Sequence, residues 1–322
     1  MNNYNFLDKI FHNLIFSSKF TQKSLYEVQK ILFKKNEDYY NNMHVFITGL
    51  PRSGSTAFLY YLYESNLFAS LTYRDMPFVI SPRLNFFNKK NIEKKERLHK
   101  DGIEFDLDTP EALDNVFFKL FNDQETILEI ENYVNSILEK YKKKRYLSKN
   151  NNILKKLDLI NNKFQNSFFI IPFRRPQNQA NSLFKQHLNF TELHKKDKFV
   201  LKYMSDLGHF EFGKEHQFWF EPKYFNDTSN INYWLEQWFM YYSYIYEKFS
   251  SRKNFILASH EKFCGDLMYR NKLNMKLDIK TNINFKLNEN NQNNNIESFD
   301  NILLEKCNQL YIKLDKQFVM NN

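Results

Sequence analysis

Apolar residues along the chain recur with two different periods, and the switches between them outline an alternation of helices and strands. Phe6, Leu7, Ile10, Phe11, Leu14 and Ile15 keep i, i+3, i+4 spacing and predict a first helix. A second helix is expected from about Ser24, where Glu27 completes a capping box and Leu25, Val28, Ile31 and Leu32 share a face. Basic residues do not gather on one side of either helix, so both read as a packing layer rather than a membrane-surface anchor. Residues 44–47 are a short apolar run, and a helical pattern follows at 57–63. Residues 68–73 read as a buried strand. The run F-F-I-I-P-F, residues 168–173, has no polar alternation, as in a strand covered on both faces.

Other stretches fill the pattern. Residues 88–100 are a charged helix or loop. Residues 101–120 read as a Gly turn, an acidic strand-like piece and a helix with Thr109 as N-cap and Pro110 at its first position. The carboxylates there suit either contact with a substrate or, more commonly, the helix-start preference for acids. A helix over 125–141 leads to a basic run, 142–145, and then to Tyr146-Leu147-Ser148-Lys149-Asn150. Residues 199–213 predict a helix closed by Gly208, and 232–249 a wide aromatic helix bearing Trp234, Trp238, Tyr242 and Ile245. A strand over 254–259 reaches His260-Glu261. Residues 288–295 are Asn-rich and read as a loop, and 301–319 form an amphipathic closing helix.

Composition narrows the class. A length of 322 residues suits one α/β domain with insertions, and an apolar share of 42% can fill its core. The net charge of +9 is spread along the chain, without the clustered basic face or aromatic interleaving of a nucleic-acid binder. Cys264 and Cys307 make no disulfide framework or CxxC site, which favours a reducing compartment. The N-terminus lacks the basic and apolar regions of a signal peptide, and no run approaches the ~18 apolar residues of a membrane span. A cytoplasmic protein without an integral membrane segment is expected. His209, Glu211, Glu215 and His216 match no standard metal-ligand spacing, so no metal is assigned.

The chemistry concentrates in residues 46–56, F-I-T-G-L-P-R-S-G-S-T. Strand, tight loop and helix together aim backbone N–H groups at one point and make a place for phosphate or sulfate. Gly49, Gly54 and Thr56 stand where a Walker A loop places them, but the Walker lysine is Ser55, and the cation is Arg52, inside the loop. Glycines number only six, two of them here. Of seven prolines, Pro51, Pro77, Pro82, Pro172 and Pro176 border the same three stretches. The second stretch is Arg74-Asp75-Met76-Pro77, just past a strand end. The third is Arg174-Arg175-Pro176, followed by Ser182 two helical turns on, a guanidinium and a hydroxyl suited to gripping one phosphate.

Two of these motifs together resemble the sulfotransferase family. Pro51-Arg52-Ser53-Gly54-Ser55-Thr56 matches that family's P-[KR]-S-G-[ST]-T loop, and Arg174 with Ser182 matches its Arg and Ser eight positions apart. The resemblance implies that Arg52, Ser53, Gly54, Ser55 and Thr56 hold the 5′-phosphosulfate of 3′-phosphoadenosine 5′-phosphosulfate (PAPS). It implies that Arg174 and Ser182 hold the 3′-phosphate. The similarity runs from about 44 to 264 and is most like the bacterial, carbohydrate- or tyrosyl-directed branches. Similarity to the tyrosyl branch implies that Asp75 occupies the place of an acidic base after the second strand and Lys149 that of a lysine upstream of the 3′-phosphate strand. His187, one turn or so beyond Ser182, is a reserve base. Two departures stand out: the family's G-x-x-G-x-W-K loop is absent, and the tyrosine of its late Y-E-x-[LF] element is His260 here.

The expectation is therefore a P-loop NTPase-like, three-layer α/β/α fold with a central parallel sheet. It takes the form of a single domain over 1–322, with N-terminal helices (1–40), a core (44–264), and an Asn-rich loop with a C-terminal helix (280–322). The expected activity is metal-free transfer of a sulfuryl group from PAPS to a hydroxyl or amine acceptor, such as a carbohydrate or another hydroxylated molecule. A small-molecule P-loop kinase and a basic nucleic-acid-binding protein are the rival readings, and Ser55 and the dispersed charge respectively speak against them.

Overall fold

The computed structural model describes residues 6–33, 39, 41–86, 93–96, 104–281, 283 and 298–320. In chain order the elements begin with α1 (Phe6–Ile15), α2 (Lys19–Leu32), β1 (Val45–Ile47), α3 (Ser55–Glu64), β2 (Phe68–Ala69), β3 (Lys95–Glu96) and β4 (Glu104–Phe105). They continue with α4 (Asn115–Leu120), α5 (Asp123–Tyr141), β5 (Arg145–Lys149), α6 (Leu157–Lys163), β6 (Phe168–Phe173), α7 (Pro176–Lys196) and α8 (Lys198–Leu207). The last are α9 (Ile231–Phe249), β7 (Phe255–Ser259), α10 (His260–Gly265), α11 (Leu267–Lys276) and α12 (Asn301–Met320). A central parallel sheet has the strand order β2-β5-β1-β6-β7. This is the P-loop-like α/β class that the alternating pattern predicts.

Contacts gather the chain into two compact units. One comprises Met1–Phe46, Leu59–Ser167 and Lys202–Gly208; the other comprises Ile47–Phe58, Phe168–Leu201 and His209–Asn322.

In the first unit β2 and β5 pair in parallel, Phe68 opposite Arg145 and Ala69 opposite Tyr146. Helix α5 is started by Asn122, whose side chain accepts from the Glu125 amide while Glu125 reaches back to the Asn122 amide. It is closed by Lys142 in the left-handed region, φ 53°. Its buried face stacks Tyr133 on Phe117, ring centres 4.4 Å apart. β5 is buried along Tyr146–Lys149, and its polar side chains are satisfied internally. Asp114 accepts from Tyr146 Oη at 3.1 Å, from Ser148 Oγ, and from Asn150 Nδ2 at 3.2 Å.

In the second unit β6 and β7 pair in parallel from Phe169–Phe255 to Phe173–Ser259. Phe169 and Phe255 stack at 4.6 Å, and Phe249 of α9 adds a third ring at 4.5 Å from Phe255. Trp234, Trp238, Tyr241 and Tyr242 of α9 are fully buried. At ~1.5–3 kcal/mol for each large apolar side chain taken from water, this helix is a main stabilising wall of its unit. Phe318 of α12 stacks on Tyr269 of α11 at 3.9 Å.

Several local expectations shift. Helix α2 starts at Lys19, not near Ser24, because Ser18 caps it by accepting from the Thr21 amide at 3.0 Å. β2 is confined to Phe68–Ala69, and the chain then enters a 3₁₀ turn over Tyr73–Asp75. Helix α4 begins at Asn115 rather than at Thr109: Thr109 Oγ1 donates to Asp106 Oδ1 at 2.7 Å, and Pro110 bridges Thr72. β5, α10 and α11 were not anticipated. The stretch 288–295 lies outside the described residues, and of 88–100 only 93–96 are described, where β3 pairs antiparallel with β4. Among the described residues no helix is long and apolar enough to cross a membrane.

Candidate anion-binding site

The loop between β1 and α3 lies in the second unit, and its shape follows from its glycines and its arginine. A Cβ on Gly49 would approach Ser53 Oγ at 3.0 Å and the Pro172 carbonyl at 3.1 Å, so the backbone there lies hard against the end of β6. Gly54 has φ +92°, and a Cβ on it would fall 1.9 Å from the His260 ring. Arg52 itself takes φ +65°, a left-handed conformation that costs a non-glycine residue about 1 kcal/mol or more. Two left-handed positions flank Ser53, whose amide donates to the Leu50 carbonyl at 3.3 Å, ahead of the first turn of α3 at Ser55. Alternation of this kind next to a helix start is the local backbone pattern of an anion nest.

Around that nest stand the side chains of the third motif. Pro176 begins α7 because its missing N–H is not needed in the first turn. Ser182 then falls on the face toward the loop, where its Oγ accepts from Arg52 Nε at 3.0 Å. Arg174, between β6 and α7, donates through Nη1 to the Arg52 carbonyl at 3.4 Å. Its Nε is buried and has no acceptor among the described residues. Arg52, Arg174 and Ser182, far apart in sequence, are thus brought together.

His260 was visible only as a departure from the family pattern. Its ring packs on Gly54, and its Nε2 lies 3.4 Å from Cys264 Sγ. Burial, then the charges of Arg174 and Arg52, push its pKa down to about 3, so it is neutral beside the two guanidinium groups. Gln179 was missed altogether. It is fully buried and touches both the loop and the start of α7. The available signal was a polar residue at the inward spacing of Pro176, Ala180 and Leu183.

The remaining candidates have other surroundings. His187 lies on a different face of α7 from Ser182. Its Nδ1 accepts from the Gly213 amide at 3.3 Å, and its ring packs against His216 and Trp234. Burial lowers its pKa to about 4. His216 in turn is held by the Glu211 carbonyl and Tyr233 Oη, at 2.7 and 2.6 Å.

Asp75 and Lys149 belong to the first unit. Asp75 is 0% exposed: Oδ2 accepts from the Thr72 amide at 2.7 Å and Tyr141 Oη at 2.6 Å, and Oδ1 pairs with Lys140 Nζ at 2.6 Å. As a proton acceptor it would have to be reached through this full burial, with three donors already on its oxygens. Its neighbour Arg74 forks onto Asp108 at 2.6 and 2.9 Å. Lys149 ends β5 with Nζ 3.3 Å from Glu111 Oε1, and Tyr73 Oη donates to Glu111 Oε2 at 3.2 Å. Sequence reasoning did not single out Glu111.

A P-loop-like α/β fold carrying a strand–loop–helix anion nest is the class to which these observations lead. Residues 44–242 match the model of the sulfotransferase family, and the chain belongs to that family. Sulfotransferase STF1 from Mycobacterium tuberculosis H37Rv is a solved structure similar to it, with 11% sequence identity and a TM-score of 0.46. The match covers 98% of this chain and 87% of that one. No curated protein matches the chain. As a member of the family the chain is a sulfotransferase-type transferase.

Proposed function

We propose that the chain transfers a sulfuryl group from PAPS to a hydroxyl or amine acceptor and releases adenosine 3′,5′-bisphosphate. The observation that carries this reading is Arg174 Nε, a buried charged donor with no acceptor among the described residues, beside Arg52 and Ser182. Leaving such a donor unmet costs the desolvation of a charged group, which an anionic ligand restores. Gly54 allows the tight turn that shapes the loop: its φ of +92° and the His260 ring against it leave no room for a side chain.

Bound PAPS supplies an activated sulfuryl group on a phosphate leaving group. Arg52, the Ser53 hydroxyl and the amides of Gly54, Ser55 and Thr56 hold the 5′ end and bear the charge that grows toward the leaving phosphate. Arg174 and Ser182 hold the 3′-phosphate. Lys149 is the further cation assigned by the family pattern. The acceptor's proton goes to a carboxylate, for which the chain offers Asp75 and Glu111, with His187 in reserve. Alignment and electrostatics suffice for this chemistry, and no metal is assigned to it.

A thermal-shift titration with adenosine 3′,5′-bisphosphate, ATP and an oligonucleotide tests the reading. Stabilisation by the bisphosphate well above that by ATP is expected. Preference for Mg-ATP would support a kinase, and preference for the oligonucleotide a nucleic-acid binder; either would overturn the proposal.

A further inference from the structure

Gln179 lies one turn into α7, fully buried, and every polar atom of its side chain is engaged. Its Nε2 donates to the Leu50 carbonyl at 3.2 Å and the Pro51 carbonyl at 3.0 Å, the two residues that lead into the loop arginine. Its Oε1 accepts from the Arg174 amide at 3.2 Å and from Trp238 Nε1 at 3.1 Å. Tyr242 Oη donates to the Pro172 carbonyl at 2.8 Å and lies beside the amide, 3.3 Å from Nε2 and 3.4 Å from Oε1. The orientation of the amide is fixed by chemistry: two carbonyls face one end and two N–H donors the other. A carboxylate or an apolar group cannot satisfy both ends.

We propose that Gln179 is a positioning residue that sets the spacing between the two phosphate grips, its nitrogen fixing the 5′ loop and its oxygen fixing Arg174. This rests on the PAPS reading and deepens it: Gln179 touches no ligand, and acts by holding Leu50 and Pro51 on one side and the Arg174 backbone on the other. The two ends act on different halves of the nucleotide, so they can be tested separately. Gln179→Glu keeps an oxygen toward Arg174 and Trp238 but places a second oxygen against the Leu50 and Pro51 carbonyls. Gln179→Met keeps the length and drops both sets of bonds.

The test is calorimetric titration of the full chain and both variants with adenosine 5′-monophosphate, adenosine 3′-monophosphate and adenosine 3′,5′-bisphosphate. Gln179→Glu is expected to weaken the 5′-monophosphate and the bisphosphate by about tenfold or more, while the 3′-monophosphate binds as to the parent protein. Gln179→Met is expected to weaken all three. A core variant of similar melting temperature, Leu257→Val, is expected to bind all three normally, which separates positioning from lost stability. Should Gln179→Glu give no cooperative melt, Gln179→Met carries the test, and unchanged bisphosphate affinity in it overturns the proposal. Equal losses for the 5′ and 3′ monophosphates in a folded Gln179→Glu overturn it too. A parent chain that binds none of the three refutes the PAPS reading itself, a different result from parent binding with indifferent variants.

Discussion

Arg52 Nε donates to Ser182 Oγ over 3.0 Å, joining the loop after β1 to the helix after β6 across 130 positions of sequence. The loop after β1 and the Arg174–Ser182 motif are therefore one hydrogen-bonded construction, and preorganisation of this kind lowers the ordering cost of binding.

Replacing Arg52 separates site from scaffold. Arg52→Ala is expected to weaken adenosine 3′,5′-bisphosphate by about tenfold or more and to abolish turnover, with little change in melting temperature, because the side chain is partly exposed and supports no core. Arg52→Lys should retain part of the affinity, since the charge stays while the hydrogen bond to Ser182 is lost. Normal binding by Arg52→Ala, measured by calorimetry, would remove the loop from the site.

Gly54→Ala meets two obstacles at once, φ +92° and the His260 ring. The left-handed backbone alone costs about 1–2 kcal/mol. The variant is expected to lose bisphosphate binding, and adding His260→Ala should recover only part of it, because the ring clash goes and the backbone strain stays. Full recovery in the double variant would show that the steric contact is the whole effect.

Acid should destabilise the protein. Burial pushes His44 and His187 down to about 4 and His260 down to about 3, whereas an unfolded histidine titrates near 6.5. Below about pH 6.5 the unfolded chain binds protons that the folded chain refuses, so stability is lost as pH falls through that range toward 4. Asp114 works against this: burial raises it to about 6, so its contribution is lost as pH rises from the ordinary aspartate range to 6. Three histidines outweigh one carboxylate, and the melting temperature should fall between pH 7 and pH 5. His44→Asn should flatten that slope while still accepting from the Tyr146 amide, which His44 Nδ1 now meets at 3.0 Å. A melting temperature that rises toward pH 5 would contradict the sign.

Asp75 and Glu111 separate by what they hold. Asp75→Asn breaks a buried ion pair with Lys140 and is expected to cost about 3 kcal/mol of stability, read by denaturant titration. A proton acceptor shows a different signature, lost kcat with melting and cofactor affinity unchanged. Glu111→Gln also unpairs the buried Lys149, so it is expected to lower both kcat and the melting temperature while cofactor affinity stays unchanged. Lost kcat with unchanged cofactor affinity in Asp75→Asn, and normal kcat in Glu111→Gln, would return the base to Asp75.

Local signals read well wherever chemistry and periodicity coincide. The loop after β1 and the F-F-I-I-P-F strand were legible because a strand end, a glycine or proline and a cation fall within a few residues of each other. β5 was hidden because Ser148 and Lys149 are polar yet buried, their cost met by Asp114 and Glu111, partners that no local pattern points to. Thr109 and Pro110 carry the marks of a helix start, but Thr109 spends its hydroxyl on Asp106 and the helix waits until Asn115. Asp75 reads as a carboxylate at a strand end; its capping of Thr72 and its pairing with Lys140 come from tertiary structure. Gln179 interrupts an apolar face for a reason visible only once Leu50, Pro51 and Arg174 surround it.

Calorimetric comparison of adenosine 3′,5′-bisphosphate with AMP asks whether this site reads a nucleotide with phosphates at both 3′ and 5′. AMP lacks the 3′-phosphate assigned to Arg174 and Ser182, and a charge-assisted hydrogen bond contributes ~1.5–3 kcal/mol, so the bisphosphate should bind about ten- to a hundred-fold tighter. Equal affinity for the two nucleotides would show that no 3′-phosphate is read here.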